Sequence, residues 1–217
     1  MIFLQRTFTS LVHAHAGRTQ GFSSRTNYSW LFVRTSLILA NCNLPLKTAL
    51  CAKRIMMIIR EILSKDIDTI LELNEKFVDV LSPMDKSKLL RLIEISALSV
   101  VIEDESHVVG FLIALIENVE YESINYQWFN ENYGSFLYID RIVISEKSQG
   151  KGIASKLYQY ALGSAIDNSI PCVFAEIDVM PPNEASLLFH KKMGFKELEL
   201  LKHSEEKMVS LQKLTVN

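Results

Sequence analysis

The sequence predicts an α/β domain built on a mixed sheet, and three observations carry that prediction. Apolar, β-branched runs of strand length alternate with stretches whose apolar residues recur at helical spacing. In the C-terminal half a strand, a helix and a second strand follow one another, which calls for a parallel pair joined by a crossover. Between the first of those strands and its helix stands a glycine turn, Gln149-Gly150-Lys151-Gly152.

Taken in order, residues 57–61 are a short β-type run. Ser64-Lys65-Asp66 then opens a helix that buries Ile67, Ile70, Leu71 and Leu73. Ser82-Pro83 interrupts it, and helical spacing resumes over 84–96 through Leu89, Leu90, Leu92, Ile93 and Ile95. The runs 98–103 and 107–116 are strands, joined as a hairpin at Asp104-Glu105-Ser106. Residues 118–134 are polar and aromatic without a period, a connection longer than most and of a length that often carries function. The strand over 135–145 is mostly apolar, with Asp140-Arg141 in its middle. A helix follows from Ile153 to Asn168, then a strand over 171–179. Pro181-Pro182-Asn183 opens a further helix that stops at Gly194, and two short strands, 197–201 and 208–214, complete the domain.

Composition narrows the class. Of 217 residues, 48% are hydrophobic and 22% charged, which excludes a disordered, collagen-like or disulfide-scaffold chain. A net charge of −2 gives no reason to expect a nucleic-acid partner. Cys42, Cys51 and Cys172 are an odd number without a C-x-x-C pair, so neither a disulfide framework nor a metal site is expected, and a reducing, cytoplasmic setting suits the chain. The charge is unevenly spread: residues 1–55 hold seven basic residues and no acidic one. That leader has the composition of an organelle transit peptide, in which case import is expected. It fits as well an upstream start called ahead of a working protein that begins at Met56 or Met57; both readings stay open. Its apolar run over 30–46 is broken by Arg34, Asn41, Asn43 and Pro45, short of the roughly 20 residues a membrane span needs, so no membrane anchor is expected. Its basic residues are dispersed, which argues against a nucleic-acid arm. The fold is assigned to 56–217.

Glycines at a strand-to-helix junction let backbone N–H groups approach a ligand, and the helix N-terminus that follows favours negative charge. A phosphate or pyrophosphate is the natural occupant, with Lys151 as counter-charge; a tight connection without a ligand is the alternative. The turn matches Q/R-x-x-G-x-G/A as Gln149-x-x-Gly152-x-Ala154. About thirty residues on comes Asn183-x-x-Ser186-x-x-x-His190-x-x-x-Gly194-Phe195. Together these resemble the GNAT superfamily of acyl-CoA-dependent N-acetyltransferases over roughly 57–214. The resemblance implies a twisted, mostly antiparallel sheet with one splayed parallel pair, flanked by helices. It implies that the turn, Gln149, Gly150, Lys151, Gly152, Ile153 and Ala154, holds the pyrophosphate of acetyl-CoA. The strand at Ile142, Val143 and Ile144 would pair with the pantetheine arm, and Asn183 and Ser186 would touch that arm from the next helix.

Acetyl transfer to an amine needs a group to take the amine's proton, a donor for the tetrahedral oxyanion and an acid for the leaving thiolate. The family implies the backbone N–H of Ile144 as oxyanion donor and a tyrosine as acid, four residues before the Gly of Gly-Phe. His190 stands at that position, as the acid or as a packing histidine. Asp140 is the candidate base, because a carboxylate inside an apolar strand is costly unless paired or used. By strand parity it faces the notch with Ile142 and Ile144, and Arg141 points to the opposite face, a structural partner for an acidic residue. Tyr121, Asn125, Tyr126 and Trp128 are the candidate acceptor-binding residues. Their stretch, with Tyr138-Ile139-Asp140-Arg141, resembles a bacterial GNAT subfamily that carries His in place of the tyrosine. Glu176 and Asp178 share one side of their strand and are read as loop-bonding, with a role for either as a second carboxylate of the site left open. The expected activity is acetyl transfer from acetyl-CoA to a primary amine of a small molecule or a protein N-terminus. A non-catalytic acyl-CoA-binding or regulatory domain is the alternative, and a homodimer stays open.

Overall fold

The computed structural model describes residues 57–78 and 81–216; the leader, 1–55, lies outside the described residues. Seven strands form one sheet: β1 (Ile58–Glu61), β2 (Leu98–Asp104), β3 (His107–Ile116), β4 (Leu137–Ile144), β5 (Cys172–Met180), β6 (Lys196–Lys202) and β7 (Met208–Thr215). Their order is β1-β2-β3-β4-β5-β7-β6, and every pairing is antiparallel except β4 with β5. Five helices cover it: α1 (Ile67–Glu75), α2 (Lys86–Ile95), α3 (Ile124–Asn132), α4 (Ile153–Asp167) and α5 (Glu184–Met193). The mixed α/β architecture is the one the periodicities predict.

Local chemistry sets the element ends. The hairpin between β2 and β3 turns on Glu105 and Ser106, both at positive φ, with Asp104 opposite His107. Helix α2 begins two residues later than expected because the Asp85 side chain accepts the Lys88 N–H at 2.7 Å. Helix α5 stops at Gly194, which takes φ 94° beyond the last turn. The one element absent from the sequence expectation is α3. It occupies the aperiodic 118–134 stretch, capped by Ser123, and buries little beyond Tyr126 and Phe129, so its apolar stripe is only two residues deep.

The sheet separates two cores. Beneath α4, Leu112, Ala114, Leu137 and Ile139 pack on Leu157, Tyr158 and Ala161. On the other face, Phe111, Ile113 and Val143 meet Ile70, Leu73 and Leu89 of α1 and α2, and farther along Tyr138 and Phe174 meet Tyr126 and Phe129 of α3. Among the described residues no helix is long and apolar enough to cross a membrane.

Candidate active site

β4 stays paired to β3 and β5 stays paired to β7, but the two halves of the sheet share only the rungs Leu137–Val173 and Tyr138–Phe174. Beyond them the parallel strands part, and a cleft of about 2060 Å³ opens between their C-terminal ends. Ser145 N–H bonds the Val109 carbonyl at 2.8 Å, so strand alternation turns the N–H of Ile144 to the other edge, into the parted region. The oxyanion donor expected from the sequence therefore faces open space.

One arm of the cleft is lined by Ile142, Val143, Ile144, Gln149, Gly150, Gly152, Ile153 and Ala154, with Asn183 at the start of α5 and Ser186 in its first turn across from them. The turn is shaped by two left-handed glycines, Gly150 at φ 74° and Gly152 at φ 76°, and Gly152 caps α4. A β-carbon would meet nothing at either glycine, so conformation and not crowding selects glycine here. The first N–H groups of the fifteen-residue α4 are thereby aimed at the cleft, the arrangement that holds an anion. Lys151 alone among the turn residues expected here is exposed and outside the lining. Asn183 spends its side chain on the Ser186 N–H at 3.1 Å, capping α5.

The other arm is lined by Tyr121, Asn125 and Tyr126 on one side and by Phe77, Ser82 and Lys88 on the other. Trp128 is not among the lining. Because 124–132 is a helix and not an open loop, its indole turns away from the cleft and packs on Phe129 and Tyr133. The Tyr126 hydroxyl is already used, donating to the Ile116 carbonyl at 2.8 Å and accepting from Val119 N–H at 3.0 Å.

Asp140 lines the cleft, as expected, but from the face opposite Ile142 and Ile144, and a β-bulge is the reason. Ile113 pairs with Arg141 and Ala114 with Ile139, which leaves Asp140 as an inserted residue. The insertion breaks the alternation, so Leu137, Ile139, Ile142 and Ile144 share the α4 face, and Tyr138 and Val143 share the other. Asp140 and Arg141 then project to one side instead of two. Arg141 Nε donates to Asp140 Oδ2 at 2.8 Å, and the two side chains are 3% and 4% exposed, respectively. Tyr121 donates to Asp140 Oδ1 at 2.5 Å; burial first and then the Asp140 charge push the Tyr121 phenol far above its usual range.

Glu176 on β5 is the group the sequence reading takes first as loop-bonding. Its Oε1 accepts from the Tyr138 hydroxyl at 2.9 Å, and its buried Oε2 has no hydrogen-bond partner. Burial, then the Asp140 charge, push its pKa up to about 7, against smaller opposing effects of Tyr138 and Asn125. Asp178, two residues on, is neutralised by Lys207 at 3.0 Å. Asn125 Oδ1 stands 2.8 Å from His203 Nε2, tying α3 to the β6–β7 turn. A carboxylate on a cleft-facing strand was the visible signal for Glu176; its burial depends on side chains from β4 and α3.

Of the two roles expected for His190, the geometry matches the packing histidine. Its Nδ1 lies 2.8 Å from the Ser186 carbonyl, which only accepts, so Nδ1 carries the ring proton. Nε2 is then the acceptor for the Tyr158 hydroxyl at 2.6 Å. Burial lowers the His190 pKa, keeping the ring neutral near pH 7. Both nitrogens are satisfied inside the protein, so the ring presents no N–H to the cleft for a departing thiolate. Among the described residues there is no group of three or more His, Cys, Asp or Glu that could hold a metal ion.

Comparisons with known proteins agree with this geometry. A family model described as acetyltransferase (GNAT) family matches residues 67–195, more than half of the chain. Curated protein sequences give no match. Among solved structures, Ard1 from Thermoplasma volcanium superposes with a TM-score of 0.60 at 19% identity, covering 74% of this chain and 98% of its own. The ribosomal-protein-S18-alanine N-acetyltransferase from Escherichia coli gives 0.57 at 11% identity, with 75% and 95% covered. The protein yncA from Salmonella typhimurium, solved with its cofactor acetyl-CoA, gives 0.57 at 18% identity, with 75% and 95% covered. These likenesses show the fold. The interval matched by the family model runs from the start of α1 through the glycine turn to Phe195, and the chain belongs to the acetyltransferase (GNAT) family, whose chemistry is acyl transfer.

Proposed function

We propose that the protein transfers an acetyl group from acetyl-CoA to a primary amine by direct attack, with Glu176 as the base. The observation that carries this reading is the Glu176 carboxyl: buried, lining the cleft, with one oxygen unbonded and a pKa near neutrality. The acetyl-CoA half rests on the turn at the α4 N-terminus, shaped by two glycines, and on the free edge of β4, and a structural neighbour holds acetyl-CoA.

In this mechanism the ammonium gives one proton to Glu176 Oε2, and the freed nitrogen attacks the thioester carbonyl. The carbon–nitrogen bond forms while the Ile144 N–H donates to the carbonyl oxygen, which bears the developing charge. The carbon–sulfur bond then breaks, the nitrogen sheds its second proton, and the thiolate takes one up. Products are the amide, free CoA and one proton, passed by Glu176 to solvent. Tyr138 holds the Glu176 carboxyl at 2.9 Å in position. Asp140, ion-paired to Arg141, leaves the proton-accepting role to Glu176. His190 fixes the Tyr158 ring between α4 and α5.

The test is calorimetric titration of the full chain with acetyl-CoA, followed by thiol-release assays over a panel of primary amines, for the wild type and Glu176→Gln. Binding with turnover in the wild type, and binding without turnover in the variant, are expected. Binding with no thiol release for any amine favours the acyl-CoA-binding regulatory domain. A folded chain that binds no acetyl-CoA overturns both.

A further inference from the structure

We propose that the Asp140-Arg141 bulge is a clamp that fixes both walls of the acceptor arm, making the two residues positioning residues for the amine. The proposal rests on the reading that this arm receives the amine. A regular strand would send residues 140 and 141 to opposite faces; the bulge sends both to one face, where they bond in different directions. Asp140 holds the wall before α3, through Tyr121 at 2.5 Å. Arg141 holds the wall between α1 and α2: its guanidinium donates to Asn74 Oδ1 at 2.8 Å, to Ser82 Oγ at 3.0 Å and to the Ser82 carbonyl at 3.4 Å. Asn74 is fully buried and donates to the same Ser82 carbonyl. The Ser82 hydroxyl passes the order outward by accepting from Lys88 Nζ at 3.1 Å.

Tyr121 and Ser82 lie far apart in sequence and line opposite sides of the arm, yet one dipeptide on β4 bonds both. The carboxylate has each oxygen engaged, and the guanidinium fork spans three acceptors on the far wall besides Asp140. A lysine could not reproduce that planar reach. Width and orientation of the acceptor arm are therefore set from the strand that also carries the oxyanion donor.

Two measurements on the full chain test the clamp. The first is hydrogen exchange of the two walls, 81–91 and 119–127. Tyr121→Phe is expected to raise exchange in 119–127 alone, Arg141→Lys in 81–91 alone, and Asp140→Asn in both. The second is kinetics with putrescine, phenethylamine and an alanine tetrapeptide amide as probes. Tyr121→Phe and Asp140→Asn are each expected to raise the amine KM roughly tenfold, with kcat within about threefold and acetyl-CoA affinity unchanged. The double variant is expected to be no worse than Asp140→Asn, because both changes cut one bond. Tyr121→Phe leaves the ion pair intact and keeps the test open if Asp140→Asn does not fold. A fall in kcat of a hundredfold at unchanged KM in Asp140→Asn, additive effects in the double variant, or walls whose exchange does not change would each overturn the clamp. Failure of the acyl-transfer reading is seen separately, as no thiol release from the wild type; the exchange data alone then decide the clamp.

Discussion

Replacing Glu176 with Gln perturbs stability and catalysis through the same buried carboxyl, and both effects have a sign. The ordinary pKa of 4.5 is pushed to about 7 in the folded chain, by burial above all and by the Asp140 charge. Between those two values the folded chain keeps a proton that the unfolded chain has released, so raising the pH favours unfolding. A shift of this size corresponds to about 3 kcal/mol across the interval. Glutamine cannot ionise and escapes that penalty, although its amide must still find partners in the same pocket. The expected result is therefore a difference in unfolding free energy, variant minus wild type, that grows by about 3 kcal/mol from pH 4 to pH 8. Urea denaturation at several pH values measures it, and the difference cancels the other titrating groups. The kinetic counterpart is a wild-type rate that falls below pH about 7, and a variant with activity reduced by roughly 10²- to 10⁴-fold. A stability difference that stays flat with pH would refute the claim that Glu176 is held protonated by its surroundings.

Three further substitutions probe the scaffold around the cleft. Gly152→Glu places an L residue at φ 76°, costing about 1–2 kcal/mol, and sets a carboxylate where an anion would bind. Calorimetry should show acetyl-CoA affinity lost in a chain that remains folded. Gly110→Ala would put a β-carbon 2.7 Å from the Val143 carbonyl oxygen and 2.8 Å from Ile144 Cδ1. Backbone cannot step aside cheaply, so a loss of about 1–3 kcal/mol in denaturation is expected, with weaker acetyl-CoA binding because β4 shifts. His190→Phe strands the Tyr158 hydroxyl in the core at a cost of about 1–3 kcal/mol. Adding Tyr158→Phe should restore most of it; no recovery in thermal unfolding would show that the pair is not coupled.

What could be seen in the sequence was whatever repeats or punctuates. Strands and most helices announced themselves by period, the hairpin by its turn, and α5 by Pro-Pro-Asn before it and Gly194 after it. The glycine turn was visible because only glycine takes φ near 75° without strain at Gly150 and Gly152. The bulge was not, since one inserted residue leaves no mark on an apolar strand, and it reversed the inferred facing of Asp140 relative to Ile142. Helix α3 escaped because its buried stripe is too short to set a period. Glu176 and Tyr158 escaped for a different reason. Their chemistry comes from partners on other elements, Tyr138 and Asp140 for one and His190 for the other. Burial and partnership across the sheet are tertiary facts, and a list of residues in order does not contain them.

The charge balance of the cleft also constrains the acceptor. Asp140 is offset by Arg141 and Asp178 by Lys207, which leaves Glu176 as the carboxyl without a basic partner at the parting of the strands. An ammonium arriving there supplies the missing counter-charge, and its own pKa then decides how hard the proton transfer is. An alkylammonium of pKa ~10.4 lies more than three units above a base near 7, an uphill step of about 5 kcal/mol. A peptide α-amino group, at ~8, lies about one unit above it, roughly 1 kcal/mol. Both ammonium groups lose water alike on entering the cleft, so the difference between them survives burial. At pH 7 the alanine tetrapeptide amide is therefore expected to give a kcat at least tenfold above that for putrescine, with the gap closing as the pH rises toward 10. Equal kcat values at pH 7 would mean that proton removal from the amine does not limit turnover, and that Glu176 holds the ammonium without having to deprotonate it in the slow step.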